Sequence, residues 1–361
     1  MPSRRDLVLA LLAARGSVAA AAATPIAAAD PLVFPRDFGA HPASRIEWWY
    51  VTGRLEAAAR AWGFQITFFR AATGLAGAEA SAFRAAQLVF AHAAITDLAN
   101  ARLLHDQRIA RSGFGIAAAA GEDTDVVLRG WRLVRERSRG PSRYRAAAAS
   151  ETAGFRFDLA LDATQPVLLQ GVAGLSQKGP EATRSSRYYS EPQLVVRGTL
   201  GLGGAAPIAV TGRAWLDHEW SDALLEAGAI GWDWIGMNLD DGAALTVFRM
   251  RRADGTTLWA GGSHRPAGGA TRNFANAELS FAPGRRWTSP ASKARYPVEW
   301  TLDTPVGRYS VKALQDDQEL DSRASTGGIY WEGLSRLLDA SGASVGRGYL
   351  EMTGYAGRLP L

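Results

Sequence analysis

The sequence predicts an all-β protein of two antiparallel β-domains, each a sandwich or a barrel. Three observations predict it. Short runs alternate apolar and polar residues with period two, strong turn signals separate them, and few stretches carry helical periodicity. The alternating runs are 47–55, 62–70, 88–96, 155–161, 193–200, 210–216, 245–250 and 349–353. Asp240-Asp241-Gly242, Ala253-Asp254-Gly255 and Ser341-Gly342 punctuate them. An Asp-Gly step between alternating runs favours a tight antiparallel hairpin. Helix is expected only over 76–84 and 221–226. The Gly/Ala/Pro-rich stretch 201–207 reads as a turn or linker. Similar punctuation and Trp-rich strand starts recur in both halves. The expected organisation is a leader over 1–29, a first β-domain over 30–207 and a second over 208–361.

The leader has its own signature. Ser3-Arg4-Arg5-Asp6 precedes an apolar run from Leu7 to Ala14, and an Ala-rich stretch ends at Ala29-Asp30. This pattern is that of a secretory signal, and the arginine pair points to the twin-arginine route. The expected location is the periplasm or the secreted fraction. The apolar run is far shorter than the ~20 residues of a membrane-spanning helix. No transmembrane segment is expected.

Composition removes several function classes. The chain has 361 residues and no cysteine. Disulfides, cysteine nucleophiles, iron–sulfur clusters and thiolate zinc sites are therefore excluded. Of the 40 basic residues, Lys178, Lys293 and Lys312 are the only lysines. The arginines are scattered and form no stripe of the kind that tracks a phosphate backbone, so no nucleic-acid partner is expected. His218-Glu219 lacks a second histidine four residues on, so the helical zinc-protease motif fails. No Gly-x-Ser-x-Gly elbow, phosphate-cradling loop or dinucleotide fingerprint occurs. The five histidines are scattered and show no metal-site spacing.

Candidate chemistry is concentrated in two places. Asp217-His218-Glu219-Trp220 is followed by Trp232-Asp233-Trp234, and Glu47 lies in Ile46-Glu47-Trp48-Trp49-Tyr50. Along a strand, Glu47 and Trp49 share one face, as do Asp217 and Glu219, whereas His218 and Trp220 share the opposite one. Glu47 and Asp233 fall on otherwise apolar faces. A buried carboxyl kept protonated is a candidate general acid. The alternative is that each pairs with an arginine, an indole N–H or a phenol for structure alone. Asp217, His218, Glu219 and Asp233 are the acid/base candidates. Trp220, Trp232, Trp234, Glu47, Trp49 and Tyr189 are the candidate ligand-binding residues. Paired carboxylates beside tryptophans also suit a glycoside hydrolase.

These motifs resemble the AttH-like, carotenoid 1,2-hydratase-related family. The resemblance rests on His41-Pro42-x-x-Arg45-Ile46-Glu47-Trp48-Trp49-Tyr50, Gly63-Phe64-Gln65-Ile66-Thr67-Phe68-Phe69-Arg70 and Tyr188-Tyr189-Ser190. It continues through Asp217-His218-Glu219-Trp220-Ser221, Gly231-Trp232-Asp233-Trp234, Tyr330-Trp331-Glu332-Gly333 and Gly348-Tyr349-Leu350-Glu351-Met352-Thr353-Gly354-Tyr355. The resemblance implies two lipocalin-like β-barrels side by side and no cofactor. It also implies an apolar lipid or isoprenoid ligand and, in some relatives, hydration of a double bond. The hydratase His-x-Trp pair falls on His218 and Trp220, and a downstream Asp falls on Asp233 or Asp241. The competing expectations are a non-catalytic periplasmic lipid carrier and a glycoside or ester hydrolase. Peripheral association with a membrane or an export system completes the expected partners.

Overall fold

The computed structural model describes residues 31–74, 85–136, 140–223 and 225–358. The expected leader over 1–29 and the expected helix over 76–84 lie outside the described residues. The described chain is nearly all β, with short 3-10 turns at Arg36–Phe38 and Asn276–Glu278.

Thirteen strands form the first sheet. They are β1 (Ile46–Ala57), β2 (Arg60–Ala72), β3 (Gln87–Asp97), β4 (Arg102–Arg111), β5 (Ala117–Ala119), β6 (Asp125–Leu128), β7 (Trp131–Arg135), β8 (Arg143–Ser150), β9 (Phe155–Asp162), β10 (Leu168–Leu169), β11 (Leu175–Gln177), β12 (Ser185–Leu202) and β13 (Ile208–Ser221). Their order is β4-β3-β2-β1-β13-β12-β9-β8-β7-β6-β5, with β10 and β11 on β12. The end strands β5 and β6 return beside β3 and β4, so the sheet nearly closes. Trp49, Trp62, Phe64, Trp131, Leu159 and Leu194 fill its interior.

The second sheet holds β14 (Gly231–Leu239), β15 (Ala244–Arg251), β16 (Thr257–Arg265), β17 (Arg272–Phe274) and β18 (Ser280–Pro283). After a separate hairpin, β19 (Arg286–Thr288) with β20 (Arg295–Pro297), it continues through β21 (Glu299–Thr304), β22 (Gly307–Ala313), β23 (Glu319–Asp321), β24 (Ile329–Leu338) and β25 (Ser344–Met352). Its order is β17-β16-β15-β14-β25-β24-β22-β21-β18, and Ile235, Tyr296, Trp300, Trp331 and Leu350 fill its core. The expected pair of lipocalin-like antiparallel barrels, side by side, is what forms.

Two expectations are corrected. The domain boundary does not fall at residue 207. β13 pairs with both β1 and β12, so it is an inner strand of the first sheet. Residues 201–207 are the hairpin between β12 and β13, and the chain changes sheet between Ser221 and Gly231. The stretch 221–226 is not a helix: Ser221 ends β13, and the described residues after it are irregular.

The barrels are riveted by polar groups as well as by apolar side chains. Gln193 has φ +59 at a bulge of β12 and reaches across to the second barrel. Its N–H donates to Asn238 Oδ1 at 2.7 Å, and its Nε2 donates to the carbonyls of Leu239 and Ala243 at 2.9 and 2.7 Å. Truncating it removes both Nε2 bonds, although each carbonyl keeps a main-chain donor, and takes the Oε1 acceptor from Arg213 Nη1 at 2.6 Å, a loss of polar contacts that costs about 1–3 kcal/mol. Gln193→Ala is therefore expected to lower the melting temperature by several degrees. A melt superimposable on that of the unmodified protein would remove Gln193 from the interface account.

Candidate functional site

Strand register divides the candidate residues into three groups. The first lies inside the first barrel. Trp49 stands opposite His218, and Glu47 opposite Trp220, while β2 brings Arg70 opposite Glu47 and β12 brings Tyr189 opposite His218. Glu47 and His218 are fully buried. The Glu47 carboxylate accepts from Arg70 Nε at 2.7 Å, from His218 Nε2 at 2.9 Å and from His41 Nδ1 at 2.8 Å. It also accepts from the His41 main-chain N–H at 2.9 Å. Burial pushes its pKa up, but the hydrogen bonds from His218 and His41 outweigh burial and hold the carboxyl well below its ordinary value. Glu47 is thus an ionised structural carboxylate, not a protonated acid. Burial lowers the His218 imidazole pKa, opposed by the hydrogen bond to Glu47. The neutral tautomer with its proton on Nε2 satisfies Glu47 and lets Nδ1 accept from Tyr189 Oη at 3.1 Å. Trp220 is stacked on the His41 ring at 3.7 Å, and Trp49 on His218 at 4.6 Å.

His41 Nδ1, Glu47 Oε1 and His218 Nε2 are three ligand-type atoms within 4.8 Å of one another. Both histidines already contact Glu47 at hydrogen-bond length, and Arg70 occupies its other oxygen. The geometry is that of a satisfied ionic network rather than an open metal centre.

The second group lines a cleft of about 390 Å³ between the barrels. On the outer face of the first sheet, Tyr50 and Ser190 stand opposite Asp217, and Trp48 and Tyr188 opposite Glu219. The second sheet contributes Trp232, Trp234, Phe248 and Met250. Trp234 stands opposite Glu351, which in turn stands opposite Glu332. Asp217 Oδ1 accepts from Ser190 Oγ at 2.5 Å and from Trp215 Nε1 at 2.7 Å. Burial nonetheless raises its carboxyl to about 7, because those bonds offset only part of the lost hydration. Glu351 keeps some surface open to the cleft, yet burial, with the nearby Asp217 and Glu219 carboxylates adding to it, raises its carboxyl to about 7. Glu332 is raised further by burial and by Glu351 directly across the ladder, where like charges repel. Glu219 is tied instead to Lys178 Nζ at 2.8 Å and accepts from Ser186 Oγ. The cleft thus places carboxyls whose pKa values burial has raised beside indole and phenol faces, an arrangement that can donate a proton to an apolar ligand.

The third group is Asp233 alone among the candidates. Alternation on β14 turns it away from Trp232 and Trp234 and into the second barrel. There it accepts from Arg249 Nε at 2.7 Å and Tyr355 Oη at 3.0 Å. Asp241, the other position for the downstream Asp, closes a turn by accepting from the Ala243 N–H at 2.8 Å.

The structure therefore unites Asp217, Glu219, Trp232 and Trp234 in the cleft. It unites Glu47, Trp49, Tyr189, His218 and Trp220 inside the first barrel, and it separates Asp233 from both. A family model described as AttH-like matches residues 25–355. The chain belongs to the AttH-like family. A crystal structure of an AttH from Nitrosomonas europaea is 46% identical, with a TM-score of 0.84, covering 92% of this chain and 100% of that one. The crystal structure of kievitone hydratase from Nectria haematococca has a TM-score of 0.68 at 17% identity, over 92% of this chain and 96% of that one. That likeness is one of fold. The curated kievitone hydratase of Fusarium solani subsp. phaseoli is 26% identical over 185 residues, 50% of each chain. The AttH-like chain thus spans about half the length of that relative in the match.

Sequence reading of this AttH-like chain missed Glu332, Glu351, Tyr50 and Tyr188 as cleft residues. A signal was present. Both glutamates lie two residues after a tyrosine, in Tyr330-Trp331-Glu332 and Tyr349-Leu350-Glu351. That spacing puts an acid and a phenol on one face of a strand.

Proposed function

We propose that this AttH-like chain is an exported, cofactor-free protein that binds an apolar lipid or isoprenoid in the inter-barrel cleft and adds water to a carbon–carbon double bond there. The observation that carries the reading is Asp217 and Glu351, both raised to about 7, on the walls of a cleft lined by Trp232 and Trp234. One carboxyl gives its proton to the double bond, leaving a carboxylate and a carbocation. The ring faces stabilise the cation, an effect worth ~2 kcal/mol when desolvated. Water adds to the cation, and the carboxylate takes the proton that the bound water releases. Acid and base are restored, and the product is an alcohol. The hydratase named among the curated relatives supports this reaction class. The ionised Glu47–Arg70 pair and the neutral His218 hold the first barrel in shape behind the wall. The arginine pair in the leader supports export.

The test uses the protein without its leader, offered acyclic isoprenoids and unsaturated lipids in ¹⁸O-labelled water. A labelled alcohol is expected, and Glu351→Gln and Asp217→Asn should each slow its formation by about 10²–10⁴-fold. Both should still quench indole fluorescence on ligand addition. Binding without labelled product across the panel would replace the hydratase with a lipid carrier. Binding of oligosaccharides alone would favour a glycoside hydrolase.

A further inference from the structure

We propose that the mouth of the second barrel is an oxyanion site, in which Arg249 and Arg251 receive a carboxylate or phosphate group. This site is separate from the inter-barrel cleft. The hairpin of β14 and β15 forms the wall between them, with Trp232, Trp234, Phe248 and Met250 on the cleft side. Asp233, Arg249 and Arg251 lie on the other side, at a cavity of about 510 Å³ lined by both arginines.

The charges inside do not balance. Arg249 and Arg251 are 5% and 4% exposed, yet they share one buried carboxylate. Arg249 Nε donates to Asp233 Oδ2 at 2.7 Å, and Tyr355 Oη occupies Oδ1 at 3.0 Å. Arg251 Nη2 donates to the Thr353 carbonyl, whereas its Nε lies 3.6 Å from that same Oδ2 and, though buried, makes no hydrogen bond among the described residues. Arg249 Nη1 reaches only the Gly255 carbonyl at 3.5 Å and Thr257 Oγ1 at 3.4 Å, both long. Arg286 and Arg295, both exposed, add positive charge at the rim. The acid in the lining, Asp254, is engaged with Thr256, accepting from its N–H at 2.9 Å and its hydroxyl at 2.7 Å.

A buried guanidinium without a full set of acceptors is costly, and an incoming anion would offset that cost. The planar fork of arginine matches the oxygens of carboxylates and phosphates. Aromatic rings fix the forks: Arg251 lies 3.7 Å from the Tyr355 centroid and Arg249 4.7 Å from that of Trp300. Trp300 and Phe281 also give an apolar wall, on which a stem attached to the anion would rest.

The experiment is calorimetric titration of the leaderless protein with inorganic phosphate, decanoate and, as the uncharged control, decanol. Phosphate or decanoate is expected to bind, and Arg251→Gln should weaken that binding about tenfold or more. The rim double variant Arg286→Ser/Arg295→Ser should weaken it by about threefold without touching the core. Trp232→Ala, in the cleft, should leave this component unchanged. Phosphate binding alone would identify free phosphate as the ligand class, and decanoate binding alone an acyl carboxylate. The proposal fails if neither anion binds, if decanol competes equally, or if both arginine variants bind as tightly as the parent. Should Arg251→Gln not fold, the rim variant decides.

Discussion

Arg70→Met is expected to be the most damaging single substitution in this AttH-like protein, lowering stability by about 3–5 kcal/mol. Arg70 is 2% exposed and neutralises Glu47, which is wholly buried. Its Nη2 also donates to the carbonyls of His41 and Ser44 at 2.7 and 2.9 Å, and its Nη1 donates to Gln87. Methionine fills similar space but leaves an ionised carboxylate with only histidine and main-chain donors. Those donors cannot replace a full positive charge in a dry interior. Adding Glu47→Gln to Arg70→Met should recover much of the loss, because the amide still accepts from His218 and His41 while no buried charge remains. Denaturant melts of the single and double variants test this. If Arg70→Met alone melts like the parent, the network does not hold the barrel. The same logic makes His218 a positioning and packing residue, and His218→Ala should lose stability before it loses any chemistry in the cleft.

The second large effect is a loss of stability as pH rises from about 4 to about 7. The Asp217 carboxyl has an ordinary value of 3.8 and is raised to about 7 in the fold. Over that interval the unfolded chain has released the proton while the folded chain still holds it. Deprotonation therefore favours unfolding, and the loss is complete above the folded value. One pKa unit is worth 1.36 kcal/mol, so Asp217 alone accounts for on the order of a few kcal/mol. Glu332 and Glu351 act in the same direction. Glu47 acts in the opposite one. Its lowered value contributes stability above its ordinary 4.5, and that stability is lost as pH falls below it. Maximum stability is thus expected near the bottom of the cleft acids' window, about pH 4–5. Asp217→Asn should flatten the descent, melting higher than the parent at pH 8 and equally at pH 4. A parent whose melting temperature is level from pH 4 to pH 8 would contradict protonated cleft carboxyls.

Much of this was legible in the sequence because period two is a local property. The alternation in 47–55 and around Asp217 correctly grouped Glu47 with Trp49, His218 with Trp220, and Asp217 with Glu219. What alternation does not say is which face meets the second barrel. β1 and β13 are buried on both faces, so hydrophobicity does not mark the inside. His218 and its neighbours drew attention by chemical type, yet they face the first barrel's interior. Alternation also puts Asp233 on an otherwise apolar face, away from Trp232 and Trp234, but it does not say that this face lies inside the second barrel, where Arg249 and Tyr355 meet the carboxylate. Glu351 and Glu332 meet the cleft only through the register of β14, β25 and β24, which no local pattern encodes. The stretch 201–207 has the composition of a linker and of a hairpin alike, and only the pairing of β13 separates the two.

The position of β13 also bears on how the chain acquires its shape. β1 leaves the ribosome well before β13, and their ladder runs from Ile46 opposite Ser221 to Glu56 opposite Thr211. One edge of β1 therefore stays unpaired until almost the whole of the first barrel has been synthesised. Closing so distant a contact carries a large loop-entropy cost and slows folding. In the interval, β1 and β2 present Trp48, Trp49, Phe68 and Phe69 on a two-stranded ribbon open to other chains. A nascent polypeptide of this design depends on holding that ribbon apart from its neighbours until the closing strand arrives.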